Sequence, residues 1–441
     1  MQKLFSIVLV VTSIIYLIAC DNSTTPKLKS ESGFDVVVED VHASEAWLEI
    51  KVETTNISRD ITLNFDSQLD SIMTLSIIDD TLIHLQGLNP LSTYSISCNQ
   101  AETNDFQASQ KEVNFTTMDT TSHEFEWSYW EFGDYASSLL SDITIIDENN
   151  IWAVGDVNLY DSIGSTDPKP TNVFHWDGEF WTSFKAPVKF RGYDTFIPFY
   201  GISSDADGGV WVAAGSPIKK ESQQWELNDL RDYFGPDVFY NIVHVVTPEQ
   251  VYFGGKNGNL VSLTGVYWKQ LNPGTDLHFY DIWGDYNDEL GEYEVLAVAG
   301  EVLVSNDNKF YSITNTEALW QNFNINKNIT GIWFISDRSY FAVGNGLFKK
   351  HKKNDISWEN IVENVTTYRM YDVIGQDVND VFICGAFGEL LHYNGISWYS
   401  YMDKELESFY GRYHKMDYKN GIIAIIGYDG SVGKIIIGRK M

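Results

Sequence analysis

From about residue 124 onward, a strand-like run that ends in glycine comes back seven times, and this recurrence limits the fold more than any other feature. The first copy is Ile151-Trp152-Ala153-Val154-Gly155, and the later copies end at Gly215, Gly255, Gly300, Gly344, Gly385 and Gly427. The steps between these glycines are 60, 40, 45, 44, 41 and 42 residues. A repeat of this length is one supersecondary unit that cannot bury its own apolar face and must stack on its neighbours. The period matches the four-stranded blade of a β-propeller.

A second series runs out of phase with the first. Trp127, Trp181, Trp225, Trp268, Trp320, Trp358 and Trp398 each begin a short strand. Trp127 precedes the first glycine strand, whereas no tryptophan follows the last, in which the chain ends near Gly433-Lys434-Ile435-Ile436-Ile437. The last blade therefore lacks an outer strand of its own, and the segment around Trp127–Trp130 is expected to supply it. Closing the ring this way removes two open sheet edges. The expectation is an all-β chain with a seven-bladed propeller over 124–441, its four-stranded blades closed by an N-terminal strand.

Some turns resemble named repeats. His175-Trp176-Asp177-Gly178-Glu179-Phe180-Trp181 and His392-Tyr393-Asn394-Gly395-Ile396-Ser397-Trp398 are similar to the His-aromatic-Asp-Gly-x-x-Trp turn of bacterial surface lipoprotein repeats. Ser204–Trp211 resembles the repeat of sensor-kinase periplasmic propellers. The resemblance implies a fold and carries no activity.

Upstream, residues 33–119 hold seven short runs with alternating polarity, at 34–41, 46–52, 60–65, 73–78, 82–85, 94–98 and 112–117. Seven such runs separated by turn residues predict a β-sandwich. Leu88-Asn89-Pro90-Leu91-Ser92-Thr93-Tyr94 resembles the Leu-x-Pro-x-x-x-Tyr corner of fibronectin type III modules, and Trp47 stands where such modules bury a tryptophan. The resemblance implies a spacer or a binding module.

The first twenty residues read as an export signal and are set apart from the fold. Lys3 precedes the apolar run Leu4–Ile18, which ends in Leu17-Ile18-Ala19-Cys20, similar to a lipobox whose cysteine is acylated. The 15-residue run is short for a membrane span, which needs about 20. The polar stretch 21–32 reads as a tether. A lipid anchor on Cys20 and a place in the cell envelope follow, with the outer membrane or cell surface favoured over the periplasmic face. Cys98 and Cys384 fall in different bodies and read as buried single thiols. A formal charge of −31 excludes a nucleic-acid partner, which needs a basic face.

Five inner strands open on an apolar-Tyr pair: Phe199-Tyr200, Phe239-Tyr240, Phe279-Tyr280, Met370-Tyr371 and Phe409-Tyr410. Strand alternation sends the two side chains to opposite sides. With the first residue between blades, the tyrosines form a collar at the channel mouth, suited to a peptide or a sugar; the alternative is that they wedge the blades together. Two long loops, Asp156–Thr171 and Val188–Pro198, are expected side by side on the same face, the second carrying Arg191 and Tyr193. Of seven arginines, Arg191, Arg369 and Arg412 fall near this rim, where a guanidinium selects carboxylate or sulfate.

No nucleophile elbow, zinc motif or phosphate-binding loop is present, and no cofactor or metal is expected. Asp285–Gly291 is rich in oxygen ligands but fails the spacing of a calcium loop. Asp142, Asp281 and Asp372 recur at one position near the channel. Such a set suits glycoside hydrolysis when two carboxylates stand alone, but a repeated Asp more commonly holds backbone donors of the next blade. A binding or scaffold protein is therefore the leading expectation, and a carbohydrate-active enzyme the competing one.

Overall fold

The computed structural model describes residues 33–441 except 54–56, 66–71, 136, 162, 168, 223, 289, 302–307, 354, 356 and 362–364. Cys20 and the tether 21–32 lie outside the described residues. The chain divides into two compact units, Met1–Thr121 and Ser122–Met441.

In the first unit each of the seven expected runs is a strand. Phe34–Val41, Glu45–Val52 and Thr81–Gln86 form one sheet, and Ile72–Ile77, Arg59–Phe65, Thr93–Gln100 and Ser109–Thr116 the other. Period-two alternation buries Ile61, Leu63 and Phe65 from one strand, and they share a core with Leu48 and Ile50 of the facing sheet. Tyr94 is 1% exposed, and its hydroxyl accepts the Asn89 N–H at 2.8 Å, tying the strand to the loop before it. Trp47 is fully buried, its ring stacked on His84 at 4.4 Å. Cys98 is buried, and burial pushes its thiol up to about 11.

The second unit holds seven sheets among its described residues, numbered here 1 to 7 in chain order. Their first strands are Leu139–Asp147, Gly201–Ser204, Tyr240–Thr247, His278–Asn287, Ile329–Ile335, Met370–Asp377 and Arg412–Lys419. Each of these packs on the next, and Arg412–Lys419 packs back on Leu139–Asp147, so they line a closed ring. Sheet 7 takes its outer strand from upstream: Phe125–Phe132 pairs antiparallel with Gly433–Lys440, from Phe125↔Lys440 to Phe132↔Gly433.

The recurrent glycines have a steric cause. The first strand slips register near its start, as between Met370↔Gly385 and Asp372↔Cys384, leaving one residue bulged. The second strand must then cross closely over a carbonyl at or just before the start of the first. A Cβ on Gly155 would stand 2.2 Å from the Leu139 oxygen, on Gly255 1.8 Å from that of Phe239, and on Gly344 2.0 Å from that of Asn328. Only glycine permits that approach.

Sheet 2 differs. The expected loop Val188–Pro198 is in large part a hairpin, Val188–Phe190 with Tyr193–Thr195, that joins the sheet beside Gln224–Leu227 and brings it to six strands. Its two turn residues, Arg191 and Gly192, both have positive φ, 50° and 85°, as a tight hairpin turn requires. This hairpin and the long 158–170 connection of sheet 1 together account for the 60-residue step.

Candidate functional site

The bulges decide what stands at the channel mouth. A bulged residue is re-aimed out of the pleat. Register slips leave Ser141, Asn241, Tyr280, Thr330, Tyr371 and His414 at the equivalent position of their sheets. Sheet 2 has no slip, and Tyr200 precedes its first paired residue, Gly201.

Of the five expected collar tyrosines, Tyr200, Tyr280 and Tyr371 therefore occupy the mouth, with Phe199, Phe279 and Met370 fully buried beside them. Two do not. Tyr240 pairs with Gly255, where Met370 pairs with Gly385, so it takes the core position and is fully buried. The phase is displaced by one residue, and Asn241 stands in the collar instead. Tyr410 precedes its strand and is 90% exposed on the rim, while Tyr413 fills the core opposite Gly427.

The arginines separate in the same way. Arg369 and Arg412 flank Tyr371, their guanidinium carbons 5.3 and 5.2 Å from its ring centroid. Arg369 donates to Asn328 Oδ1 at 2.8 Å, while its Nε is buried without a partner, as is the nearby Tyr280 hydroxyl. Burial raises the Tyr280 hydroxyl's pKa, against the pull of Arg369. Exposed aromatics adjoin this group: Tyr368 lies 5.2 Å from Phe387, and Phe387 6.2 Å from Tyr410. Phe387 holds φ of 61°, rare for so bulky a residue and found where structure over-determines it. Backbone bonds with Gly411 and Phe409 fix it there. Tyr368 and Phe387 were not singled out from the sequence; the loop carrying Phe387 has no repeat signature to mark it.

Arg191 stands apart from this pair, at the hairpin tip. Its guanidinium lies 5.1 Å from the Phe190 ring, which Arg231 also contacts at 4.9 Å. Tyr193 is exposed on the same hairpin. Beneath it lies a cavity of about 490 Å³, lined by Phe190, Ile197, Pro198, Tyr200, Val238, Phe239 and Arg231 among others. Tyr200 lines this cavity and also belongs to the collar.

Deeper in the ring, the repeated aspartates bind their neighbours. Asp142 accepts the Ile202 N–H, Asp281 that of Ile332 and Asp372 that of Met416, at 2.8–2.9 Å, and Asp417 closes the circle on Ile145 at 2.6 Å. Lys415 reaches Asp281 at 3.0 Å and Asp372 at 3.1 Å across a cavity of about 320 Å³. Burial pushes Asp142 and Asp372 up to about 7, against the pull of Lys415. In the Asp285–Gly291 segment, Asp285 accepts the Ser336 N–H of the next sheet and Asn287 Oδ1 the Leu290 N–H of its own hairpin, so these oxygens serve the backbone.

No family model matches the chain, and no curated protein is similar to it in sequence. Solved structures are similar in fold. A structure of YCF48 bound to a D1 peptide superposes with a TM-score of 0.53 at 14% identity, covering 73% of this chain and all of that one. YCF48 from Cyanidioschyzon merolae gives 0.50 at 15% identity, covering 70% and 98%. The WD40 propeller domain of Doa1 gives 0.51 at 11% identity, covering 71% and 96%. These likenesses establish the fold alone: the chain is nearly all β and carries a β-propeller.

Proposed function

We propose that this chain is a lipid-anchored envelope protein that binds an extended segment of a partner protein across the mouth of a seven-bladed propeller. Cys20 carries the anchor, 21–32 the tether, and 33–119 a fibronectin type III-like spacer, a reading supported by the Tyr94–Asn89 corner and buried Trp47. The propeller at 124–441 presents the binding face.

One observation carries the binding reading. The chain holds 61 acidic residues against 30 lysines and arginines, yet Arg412 sits over Tyr371 and, among the described residues, no carboxylate is paired to it. A guanidinium left unpaired on an acidic body, beside Arg369 and three exposed aromatics, suits a carboxylate next to an apolar side chain. WD40-type propellers commonly serve as protein-binding scaffolds, and one of the similar structures holds a peptide.

The competing reading, a carbohydrate-active enzyme, draws on Asp142 and Asp372 with pKa values near 7. Their oxygens, however, already hold backbone N–H groups, Asp372 Lys415 as well. Peptide and glycan arrays probed with the purified chain separate the two readings. Peptide binding weakened at least tenfold by Arg412→Ala and by Tyr371→Ala supports the scaffold. Peptide binding indifferent to both variants refutes the proposed site. Glycan turnover lost in Asp372→Asn supports the enzyme instead.

A further inference from the structure

The ring seam contains two histidines whose ring nitrogens face each other. His123, two residues before the strand Phe125–Phe132, meets His392 of sheet 6 with Nδ1 to Nδ1 at 2.8 Å. His392 Nε2 lies 2.8 Å from Asp380 Oδ1, and Asp380 Oδ2 accepts from the Tyr418 hydroxyl at 3.0 Å and Lys440 at 3.1 Å. The group thus joins the segment leading into the seam strand, sheet 6, the first strand of sheet 7 and the last strand of the chain. His392 is fully buried, and its ring stacks on Phe382 at 4.3 Å. The His123 ring stacks on Tyr399 at 5.1 Å, and its backbone oxygen accepts from the Tyr401 hydroxyl at 2.8 Å.

The proton positions follow from these contacts. Burial works to raise the Asp380 carboxyl, but the His392 bond and Lys440 outweigh it and hold the group below its usual range. Asp380 is therefore an acceptor, and His392 must carry its proton on Nε2. In a neutral ring that leaves His392 Nδ1 bare, so His123 must donate from its own Nδ1. His123 Nε2 is then bare, and it is buried without a partner. The three nitrogens in the chain of bonds, His123 Nδ1 and both of His392, are satisfied only while both rings are neutral. A further proton has two places to go. On His123 Nε2 it finds no acceptor. On His392 Nδ1 it opposes the His123 N–H, and the clash ends only when His123 moves its proton to that same acceptorless Nε2.

The charges around the pair do not offer relief. Lys404 and the His392 ring oppose charge on His123, and only Asp380 favours it, at one ring's remove. Glu405 is engaged by Tyr399 Oη and Trp127 Nε1. The corresponding turn of sheet 1 has no second histidine: His175 Nε2 meets the neutral Asn150 amide oxygen at 2.9 Å, and Trp152 stacks on the ring as Phe382 does on His392. One position in the ring thus bears a carboxylate and a paired histidine where its repeat mate bears an amide.

We propose that His123 and His392 form a proton-sensitive latch on the ring seam, closed when both rings are neutral and opened by acid, which frees residues 122–125 from sheet 6. Burial and the facing ring hold His123 down to about 4, and burial also lowers His392. Protons are therefore taken up on release, and falling pH drives it.

Hydrogen–deuterium exchange of the full chain between pH 7.5 and 4.5, corrected for intrinsic exchange, tests this. Seam peptides covering 122–132 and 433–441 are expected to lose at least tenfold in protection across that range, while the sheet 1 turn around His175 holds its own. His123→Gln offers His392 a donor that does not titrate, so the seam of this variant should stay protected at pH 4.5. His175→Gln should leave the wild-type pH response unchanged. Selective ¹⁵N-histidine labelling adds a readout independent of folding: His123 should hold the Nδ1–H tautomer and titrate below 5. Seam protection that does not change with pH, an unaltered pH response in His123→Gln, or a His123 titration near 6.5 would each overturn the latch.

Discussion

Replacing Lys415 by Met tests the electrostatics at the centre of the ring. Lys415 projects from Arg412–Lys419 and is 21% exposed, with its ammonium between Asp281 and the buried Asp372. The surrounding carboxylates hold Lys415 well above its usual range, despite burial. Methionine keeps most of the volume and deletes the charge. Removing one partner of a buried ionic group costs about 3–5 kcal/mol, because the other partner stays desolvated. That figure applies at pH 8. Burial pushes Asp372 up to about 7 in the native protein, above its unfolded value of about 3.9, so its destabilising contribution is absent below about pH 4, builds up between the two values and is complete above 7. Without Lys415 its folded pKa rises further, and the gap between variant and wild type must widen with pH. At pH 5 a neutral Asp372 needs no counter-ion, and the loss shrinks by about 1.4 kcal/mol, the equivalent of the one unit between pH 8 and a pKa near 7. Every tryptophan except Trp47 lies in the second unit, so fluorescence-detected guanidinium unfolding reports on the propeller. Adding Asp372→Asn should recover about half the loss at pH 8. A loss under about 1 kcal/mol at pH 8, or equal losses at pH 5 and 8, would refute the reasoning.

Three further outcomes follow from contacts already described. Gly255→Ala should cost about 3 kcal/mol or more, because its Cβ meets the Phe239 carbonyl oxygen at 1.8 Å; a denaturation midpoint close to wild type would contradict the steric account. Tyr94→Phe leaves the Asn89 N–H without its acceptor and should lower only the first unit's calorimetric transition, by about 1–2 kcal/mol. Trp127→Ala removes a ring packed 4.9 Å from Tyr401 and a donor to Glu405. It should cost about 2–3 kcal/mol and deprotect Gly433–Lys440 in hydrogen exchange.

The sequence reveals those features of the fold that have a steric or packing cause at a single residue type. The glycine series is visible because a methyl group at Gly155, Gly255 or Gly344 would strike a carbonyl. The tryptophan series is visible because each ring stands at or near the start of an outer strand, where most pack on other aromatic rings, although Trp320 is 60% exposed. The role of Asp142, Asp281 and Asp372 is equally readable, since a repeated acceptor implies a repeated donor. The collar is only partly readable. A bulge changes which of two consecutive residues faces inward, and no residue type marks where it falls. Tyr240 and Tyr280 look alike in sequence, yet the first is core and the second lines the mouth. The hairpin around Arg191 also escapes periodicity, since its strands are three residues long and join sheet 2 through a single parallel pair, Val188↔Trp225. Arg369, Tyr371 and Arg412 are each legible near the rim, but their meeting across two neighbouring sheets, with Arg191 left apart, has no local signature.

The direction of the seam strand has a mechanical consequence. Phe125 pairs with Lys440 at the end of the ring away from the mouth, and Phe132 with Gly433 at the mouth end. A pull between whatever holds residue 122 and whatever grips the collar therefore runs along this strand and not across it. Loaded in shear, the rungs of that ladder share the force and must give way together, so the joint that looks weakest in the chain's connectivity is set in its strongest orientation.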